Sequence, residues 1–559
     1  MLFSFLFPVL AAVAGAHAAL PLIARQAQSD GDTNNGTAAA NATAPRAGIQ
    51  RLTLANDKTS YYTELMTGEI TFRVALDTAS SDLWLFSSAC SSDTCQAVPR
   101  YPLAYASETF VSVNENGTDF SASYSDGTMV AGYVARETVE VANFSVPDHA
   151  FGMITDANIT MKDDMSGLLG LGFPRLSSIS PNEVTNSTPF FTALAQQGDL
   201  AYPLFGLSLT YNETGTLSLG AVDSSVVKNM SEVGWNQVVE FAPAPGQRNQ
   251  SSYLEWAIPM PAFAVNGTQV TTKPSYPAIT GNTSLALFDV GNSGIYGPFE
   301  DVKNLFSMID SARLVDEAGQ WAIPCDTVVP MTLTFGERNY TLQPSDYMIG
   351  PTDSNPSLCL SWPRAVSPAA IGIDWQIGQP FLRTVYSIWS YGIDGTEPPF
   401  IGLYPLSNAT NSTQNTEYLS SFFSTMSATI DTDLPNSLLP TPTDTIQAYA
   451  LASTVTAPTG GLMTSGLATS TYSALFGEAT APWNLSAVPT ISPPATLTTI
   501  TVTDNDGEVK TSTSAWTTES VKLGVPPGYN AAPRAFGTGV SWGALAGATA
   551  AGVLYNLIV

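Results

Sequence analysis

Two aspartates, Asp77 and Asp289, occupy similar settings in distant parts of this 559-residue chain. A mostly apolar run leads into Asp77, and the small residues 78–81 follow it. The apolar run 285–288 leads into Asp289, and the short polar stretch 290–293 contains a glycine. A carboxylate that an apolar strand delivers into a tight turn is well placed for chemistry. The repeated design predicts a duplicated scaffold that presents two carboxylates to one site.

Paired carboxylates of this kind perform acid–base chemistry. Two carboxylates about 3 Å apart cannot both ionise cheaply, so they share one proton and their apparent pKa values separate. The ionised member can accept a proton from an attacking water, and the protonated member can donate a proton to the group that is attacked. Such a pair can hydrolyse a bond at acid pH, and it needs neither a metal ion nor a cofactor.

The duplication extends beyond the two aspartates. Gly170 follows Asp77 by 93 residues within the apolar segment 168–172, and Gly378 follows Asp289 by 89 residues after 375–377. Each half therefore predicts an Asp-bearing turn with a later strand of the same sheet beside it.

These motifs together resemble the pepsin-like aspartic proteases, in which each of two lobes contributes one catalytic Asp. The resemblance covers residues 58–405. It implies an all-β, bilobal fold with the active-site cleft between two pseudo-duplicated lobes, residues 58–225 and 226–405. It also implies that Asp77 and Asp289 are the catalytic residues, that protein or peptide chains are the substrates, and that the protein is a monomer.

The same resemblance assigns supporting roles. Thr78, Ser80, Gly291 and Asn292 match positions that support the catalytic pair. The stretch 120–128 has the alternation and the Gly-containing turn of a β-hairpin, and it matches the flap that closes over substrate. The expected substrate-binding residues are Tyr124, Ser125 and Asp126 of this flap, together with Trp84 and Ser293.

Four positions depart from the family pattern. Val290 lacks the hydroxyl that usually completes a cross-brace under the catalytic pair, and Ala79 replaces a glycine. Asn292 stands where Thr or Ser is usual, and Gln379 replaces an Asp. Two alternatives to a working protease therefore stay open. One is a weak or inactive homologue that binds peptide or cell-wall material, and the other is a cell-surface structural or adhesion protein.

Charge and histidine content exclude other classes of function. The net charge is −27, from 47 acidic and 20 basic residues, which argues against nucleic acid or an anionic membrane surface as the partner. The two histidines are His17, in the expected signal peptide, and His149. A Ser-His-Asp triad or a multi-histidine metal site would have to be built around His149 alone.

Four cysteines, at 90, 95, 325 and 359, allow three disulfide pairings. The family resemblance implies one small disulfide loop per lobe, hence Cys90–Cys95 and Cys325–Cys359.

The two ends of the chain predict export and anchoring. Residues 1–18 are apolar, finish in a small-x-small site and predict a signal peptide, and 19–57 predict a short propeptide or disordered segment. Residues 406–530 are rich in Ser, Thr and Pro and predict a disordered, glycosylated stalk. The apolar end, 531–559, predicts a GPI-attachment signal with Asn530 as the anchored residue, and a membrane-spanning helix is the alternative. The expected location is the cell surface, as in the GPI-anchored, yapsin-type fungal members of the family.

Overall fold

The structure is a computed structural model. It describes residues 45–112, 118–159, 161–180, 187–211, 215–246, 253–406, 414–426, 429–432, 434–452, 472–476, 483–494, 498–503, 509–514 and 522–527. The predicted signal peptide 1–18, the predicted anchor residue Asn530 and the segment 531–559 lie outside the described residues. None of the described helices combines the length and the apolar character needed to cross a lipid bilayer.

Strands dominate the described chain. Those of the first half are β1 Gly48–Leu54, β2 Tyr61–Thr67, β3 Ile70–Asp77, β4 Leu83–Phe86, β5 Val111–Ser112, β6 Asp119–Ser123, β7 Met129–Val141, β8 Phe144–Ala157, β9 Met165–Gly170, β10 Leu204–Ser208, β11 Gly215–Leu219 and β12 Val222–Asp223. Those of the second half are β13 Gly234–Gln237, β14 Ala257–Pro259, β15 Ala262–Val265, β16 Thr268–Thr271, β17 Leu285–Phe288, β18 Ile295–Gly297, β19 Arg313–Leu314, β20 Trp321–Pro324, β21 Met331–Phe335, β22 Arg338–Leu342, β23 Met348–Pro351, β24 Leu358–Ser361, β25 Arg364–Ala365, β26 Ile373–Ile377, β27 Val385–Ser390 and β28 Phe400–Pro405. The region after 406 adds β29 Thr490–Ile491, β30 Thr498–Thr503 and β31 Val509–Ser514.

Helices are short and few among the described residues. The α-helices are α1 Asp93–Gln96, α2 Phe190–Gln197, α3 Pro277–Thr280, α4 Phe299–Phe306, α5 Pro344–Tyr347, α6 Gln379–Leu382 and α7 Thr416–Met426. Three single 3₁₀ turns lie at Pro174–Leu176, Met230–Glu232 and Leu485–Ala487. The expectation of an all-β protein is confirmed.

One fourteen-stranded sheet runs through both halves of the chain. Its order is β13-β28-β27-β10-β11-β1-β2-β3-β9-β4-β8-β7-β5, with β6 paired to β7. The link between the halves is the antiparallel pair β10–β27, in which Phe205 lies opposite Trp389. The second half adds the five-stranded sheet β14-β17-β26-β18-β25 and two four-stranded sheets. The two expected lobes are present, and a shared sheet joins them.

The two strands that end in the aspartates have equivalent partners. β3 pairs in parallel with β9, so that Asp77 lies opposite Gly170. β17 pairs in parallel with β26, and the N–H of Asp289 donates to the carbonyl of Ile377 at 3.0 Å. These are the later strands that the repeated apolar-Gly segments predict. A Cβ at Gly378 would lie 2.2 Å from the carbonyl oxygen of Asn292, so this close approach requires glycine.

An aromatic core beneath the turns ties them to both lobes. The rings of Phe173 and Trp256 have centroids 4.2 Å apart, and Tyr391 packs on both. Trp256 Nε1 and Tyr391 Oη donate to the carbonyl of Leu171 at 3.0 and 2.7 Å. The N–H of Leu171 in turn donates to the carbonyl of Asp77 at 2.7 Å. The Asp77 turn is therefore held by buried aromatic residues of the second half.

The structure contains folded residues inside two segments that were predicted to lie outside the lobes. β1 lies inside the predicted N-terminal segment 19–57, because Leu52 and Leu54 alternate along it and become buried. Parts of the predicted stalk 406–530 pack on the lobes: Leu419 and Phe476 are fully buried, and β29 pairs in parallel with β12. Some apolar residues scattered through this Ser/Thr-rich sequence pack against the lobes, which composition alone does not show.

Candidate active site

The two predicted catalytic carboxylates converge on one point. A Cβ built on Gly291 would lie 2.9 Å from Asp77 Oδ1 and 3.2 Å from Asp289 Oδ1. The two acids are thus close neighbours, although 212 residues separate them in sequence. Any side chain at Gly291 would push against both carboxylates, which gives a steric reason for glycine in this turn.

Its own turn orients the Asp77 carboxylate. The N–H of Ala79 donates to Asp77 Oδ1 at 2.8 Å, and the Ser80 hydroxyl donates to Asp77 Oδ2. Asp77 is 5% exposed. The methyl group of Ala79 leaves the amide free to donate, so this departure from glycine is accommodated.

The surroundings of Asp289 differ from those of Asp77. The N–H of Gly291 donates to its Oδ1 at 2.8 Å. Burial, followed by the neighbouring charge of Asp77, raises the pKa of Asp289 well above its usual range. Asp289 thus holds a proton at pH values where a free aspartate ionises, as a pair sharing one proton requires.

The brace under the pair is built from one side only. The Thr78 hydroxyl donates to the Phe288 carbonyl at 3.1 Å and accepts from the Val290 N–H at 3.0 Å. Val290 is fully buried and supplies no reciprocal hydroxyl. Thr78 therefore connects the two turns on its own.

Gln379 reinforces the second turn in a way that the sequence did not reveal. Its Nε2 donates to the carbonyls of Val290 at 3.0 Å and Thr59 at 2.9 Å. The side chain is fully buried. An Asp at this position would have no N–H to donate to those carbonyls, whereas the buried Oε1 of Gln379 has no hydrogen-bond partner among the described residues. The signal in the sequence was that Gln379 replaces the Asp of the family pattern directly after Gly378.

Asn292 and Ser293 lie in the same turn with less definite roles. Asn292 Oδ1 accepts from the N–H of Gly294 at 2.9 Å, while its buried Nδ2 has no hydrogen-bond partner among the described residues. Ser293 is half-buried. Support of Asp289 by Asn292 and substrate contact by Ser293 stay predictions.

The hairpin β6–β7 places Tyr124 near the carboxylates. Trp84 Nε1 donates to Tyr124 Oη at 2.8 Å. Burial, and then the charge of Asp77, raise the pKa of the Tyr124 hydroxyl. At the exposed tip, the Asp126 carboxylate accepts from the N–H and hydroxyl of Thr128, which closes the turn beside Ser125.

A third carboxylic acid, Glu255, faces the same region and was not singled out by sequence. Burial, followed by the charges of Asp289 and Asp77, raises its pKa well above the usual range. No motif marks Glu255, which lies in a bend that only folding brings near the two aspartates.

Both expected disulfides form, Cys90–Cys95 and Cys325–Cys359. The first closes the loop after β4, and the second joins the end of β20 to β24. Each staples a loop in its own lobe.

The family model of the eukaryotic aspartyl proteases matches residues 60–395 of this chain. The chain belongs to this family of pepsin-like peptide hydrolases, which confirms the fold and the enzyme class expected from its motifs. It is similar to an aspartic protease of Phaffia rhodozyma, with 31% identity over 340 residues, 59% of this chain and 74% of that protein. It is also similar to major aspartyl peptidase 1 of Cryptococcus neoformans var. grubii, with 26% identity over 329 residues, 57% of this chain and 64% of that protein. Cathepsin E of Mus musculus is 28% identical over 331 residues, 57% of this chain and 74% of that protein.

Proposed function

We propose that this protein is a secreted, cell-surface aspartic endopeptidase that hydrolyses peptide bonds at acid pH through Asp77 and Asp289. The observation that carries the proposal is the convergence of these two carboxylates on the Cβ position of Gly291. Their different surroundings supply the acid and base roles that peptide hydrolysis needs.

The proposed reaction assigns one role to each acid. Ionised Asp77 accepts a proton from a water held between the two, and the resulting hydroxide forms a bond to the peptide carbon. Protonated Asp289 gives its proton to the carbonyl oxygen, which produces a neutral tetrahedral diol. The C–N bond then breaks, Asp77 delivers its proton to the leaving amine, and a hydroxyl proton returns to Asp289. No atoms other than those of water and substrate are consumed.

The flap completes the site in this proposal. Tyr124 is anchored by the indole N–H of Trp84, while the tip with Ser125 and Asp126 is exposed. A peptide bound in the cleft would be covered by this hairpin, which excludes bulk water and strengthens the electrostatic interactions of the pair.

Export and anchoring are part of the proposal. Two disulfides fit an oxidising compartment, and the apolar ends of the chain fit a signal peptide and a GPI-attachment signal at Asn530. Release of the protein from intact cells by a phosphatidylinositol-specific phospholipase would test the anchor, with Asn530→Gln as the variant expected to lose release.

Hydrolysis of a denatured protein substrate by the purified chain, from acid to neutral pH, tests the proposed activity. We expect cleavage that peaks in acid and is blocked by a statine-type transition-state analogue. Asp77→Asn and Asp289→Asn should each reduce kcat by at least about 10³-fold without unfolding the protein, because each removes one proton-transfer group. Asp310→Asn, in an exposed turn, is the matched control. Full activity in either dyad variant would refute the assignment.

Peptide binding without turnover is the second candidate function. The one-sided brace at Thr78 favours it, and so does Asn292 Nδ2, which has no hydrogen-bond partner among the described residues. A folded sample that binds the statine analogue but cleaves nothing at any pH would support this function over catalysis.

A further inference from the structure

Asn158 directly follows β8, the strand that pairs with the longer arm of the flap hairpin. The register of β7 and β8 places Val130 opposite Ala157, and the N–H of Asn158 then donates to the Met129 carbonyl at 3.2 Å. β8 ends at Ala157, and the Asn158 side chain continues the contact toward the flap tip.

The side-chain amide of Asn158 bonds both backbone groups that flank Thr128. The N–H of Met129 donates to Asn158 Oδ1 at 2.7 Å, and Asn158 Nδ2 donates to the Gly127 carbonyl at 2.9 Å. A backbone N–H only donates and a carbonyl only accepts, so these partners fix which end of the amide is the oxygen. We call these two hydrogen bonds the Asn158 clamp. It acts as one more peptide group, placed where the flap tip joins β7.

The clamp is attached to a stapled part of the lobe. The Thr94 hydroxyl donates to the carbonyl of Ala157, the residue before Asn158, at 3.1 Å. Thr94 lies between the two cysteines of the Cys90–Cys95 disulfide. The clamp therefore connects the flap to a fixed loop, in addition to the contact between Trp84 and Tyr124.

The same amide belongs to a glycosylation motif. Asn158-Ile159-Thr160 spells the Asn-x-Thr acceptor sequence. A sugar replaces one hydrogen of Nδ2, and the remaining hydrogen then points away from the oxygen, as in a trans peptide bond. The clamp uses the hydrogen on the oxygen side, because Oδ1 and Nδ2 both face the backbone around Thr128. A glycan on Asn158 and the clamp therefore exclude each other.

We propose that Asn158 acts unmodified as a flap-positioning residue, whose free amide holds the flap where it covers a bound peptide. The inference rests on the proposed function, since it concerns how the same cleft closes. Loss of the clamp leaves the catalytic acids untouched and releases the hairpin above them. Substrate binding should therefore suffer more than the chemical step.

Asn158→Ala, made in the full chain in a host that performs N-glycosylation, removes the clamp. We expect KM to rise about tenfold and a statine-type analogue to bind about tenfold more weakly, with kcat within about twofold of the native value. Hydrogen exchange of the flap segment 124–130 should become faster, while the rest of the lobe is unchanged.

Asn158→Asp provides a pH signature that a general loss of structure does not produce. A protonated Asp offers an oxygen to Met129 and an O–H to Gly127, whereas the ionised form has no donor. The ratio of variant to native kcat/KM should be close to one at about pH 3, below the usual aspartate pKa, and about tenfold lower near pH 6. Of the charged residues on the segments that meet here, three would raise the pKa of such an Asp and one would lower it: Asp93, Asp126 and Asp156, and Lys162.

Two control variants separate the clamp from other effects. Thr160→Ala removes the glycosylation motif but keeps the Asn158 amide, so it should match the native protein. Asn143→Gly lies in the turn at the far end of β7 and β8, where φ is +66° and glycine is well tolerated. It should match the native protein as well. Mass spectrometry of the peptide that contains Asn158 should find it without a glycan.

Each other outcome overturns one of the two proposals. A glycan on Asn158 in the active protein, native KM and flap exchange in Asn158→Ala, or an equal loss in Asn158→Asp at both pH values overturns the inference. Hydrogen exchange needs no turnover, so the two failures are distinguishable. Faster flap exchange and weaker analogue binding in Asn158→Ala, without cleavage by the native protein, remove only the catalytic proposal.

Discussion

At the residue scale, one hydroxyl group joins the two Asp-bearing turns. Thr78 donates to the Phe288 carbonyl and accepts from the Val290 N–H, and so joins the two Asp-bearing turns. In a symmetric brace, a hydroxyl from each turn would hydrogen-bond the backbone of the other turn. With a buried valine on the other side, loss of the Thr78 hydroxyl leaves a buried N–H and a buried carbonyl without this partner.

Thr78→Val is therefore expected to be more harmful than an ordinary isosteric substitution. Leaving buried polar groups unsatisfied costs about 1–3 kcal/mol of unfolding free energy, and loosening of the pair should reduce kcat roughly 10- to 100-fold. Urea unfolding and steady-state kinetics measure the two effects. Thr78→Ser keeps the hydroxyl and is the control. Equal behaviour of the valine and serine variants would show that the brace is unimportant.

At the element scale, one of the side-chain contacts that anchor the flap hairpin joins Trp84 to Tyr124. Trp84 is 1% exposed, and its indole N–H has Tyr124 Oη as its acceptor. Tyr124→Phe removes that acceptor and leaves a buried donor unsatisfied. We expect kcat/KM to fall about tenfold or more, because the flap no longer has a fixed position over the substrate.

The matched control for this substitution lies in the same hairpin. Tyr133 is a half-buried residue of β7, and Tyr133→Phe removes a hydroxyl away from the Trp84 contact. Its kcat/KM should stay within about twofold of the native value, as expected for a change that costs little free energy. A similar loss in both variants would mean that the effect comes from the strand and not from the anchor.

Whether a feature could be predicted from the sequence depends on whether a short contiguous pattern encodes it. The two Asp-bearing strands, their later partner strands and the flap hairpin were predictable because each is encoded in a short contiguous pattern. Glu255 and Gln379 were not predictable. Only folding brings Glu255 near the two aspartates, and only folding brings together the carbonyls of Thr59 and Val290 that Gln379 contacts. The sequence shows that Val290 lacks a hydroxyl. It does not show that the side-chain amide of Gln379 donates to the Val290 carbonyl.

The region after 406 provides a second element-scale prediction. Phe476 is fully buried, 4.4 Å from the ring of Trp235 between centroids, and backbone N–H groups of Leu475 and Phe476 donate to the Glu397 carboxylate. Phe476→Ala should lower the unfolding free energy by about 3–5 kcal/mol. Thermal unfolding is the measurement. Leu438→Ala, at a side chain 79% exposed in the same region, should change it by less than about 0.5 kcal/mol.

That comparison bears directly on the predicted stalk. If this region were extended throughout and detached from the lobes, neither substitution would change the unfolding free energy. A large effect of Phe476→Ala alone would show that some stretches of it belong to the folded body, as their burial implies.

At the scale of the whole molecule, buried acids set how stability depends on pH. Burial raises the pKa of Asp301 and Asp346 to about 6. Such groups bind protons more tightly in the folded chain than in the unfolded chain, so their stabilising contribution is complete below the usual aspartate pKa and is lost as the pH rises through about 6.

His149 acts in the opposite direction: burial lowers its pKa to about 3, so stability is lost as the pH falls from about 6.5 toward 3.

Asp301→Asn tests this balance at one well-defined position. Asp301 is 1% exposed, its Oδ2 accepts from the N–H of Lys273 at 3.1 Å, and its Oδ1 has no hydrogen-bond partner among the described residues. Asparagine keeps the acceptor and removes the ionisation. We expect the variant to be more stable than the native protein by about 1–2 kcal/mol near neutral pH, and nearly unchanged below about pH 3.8, where the aspartate is already protonated in both states. Urea unfolding at both pH values measures this difference, with Glu317→Gln as the exposed control. An equal change at the two pH values, or a loss of stability confined to neutral pH, would show that folding does not raise the pKa of Asp301 and that its burial does not favour an acidic medium.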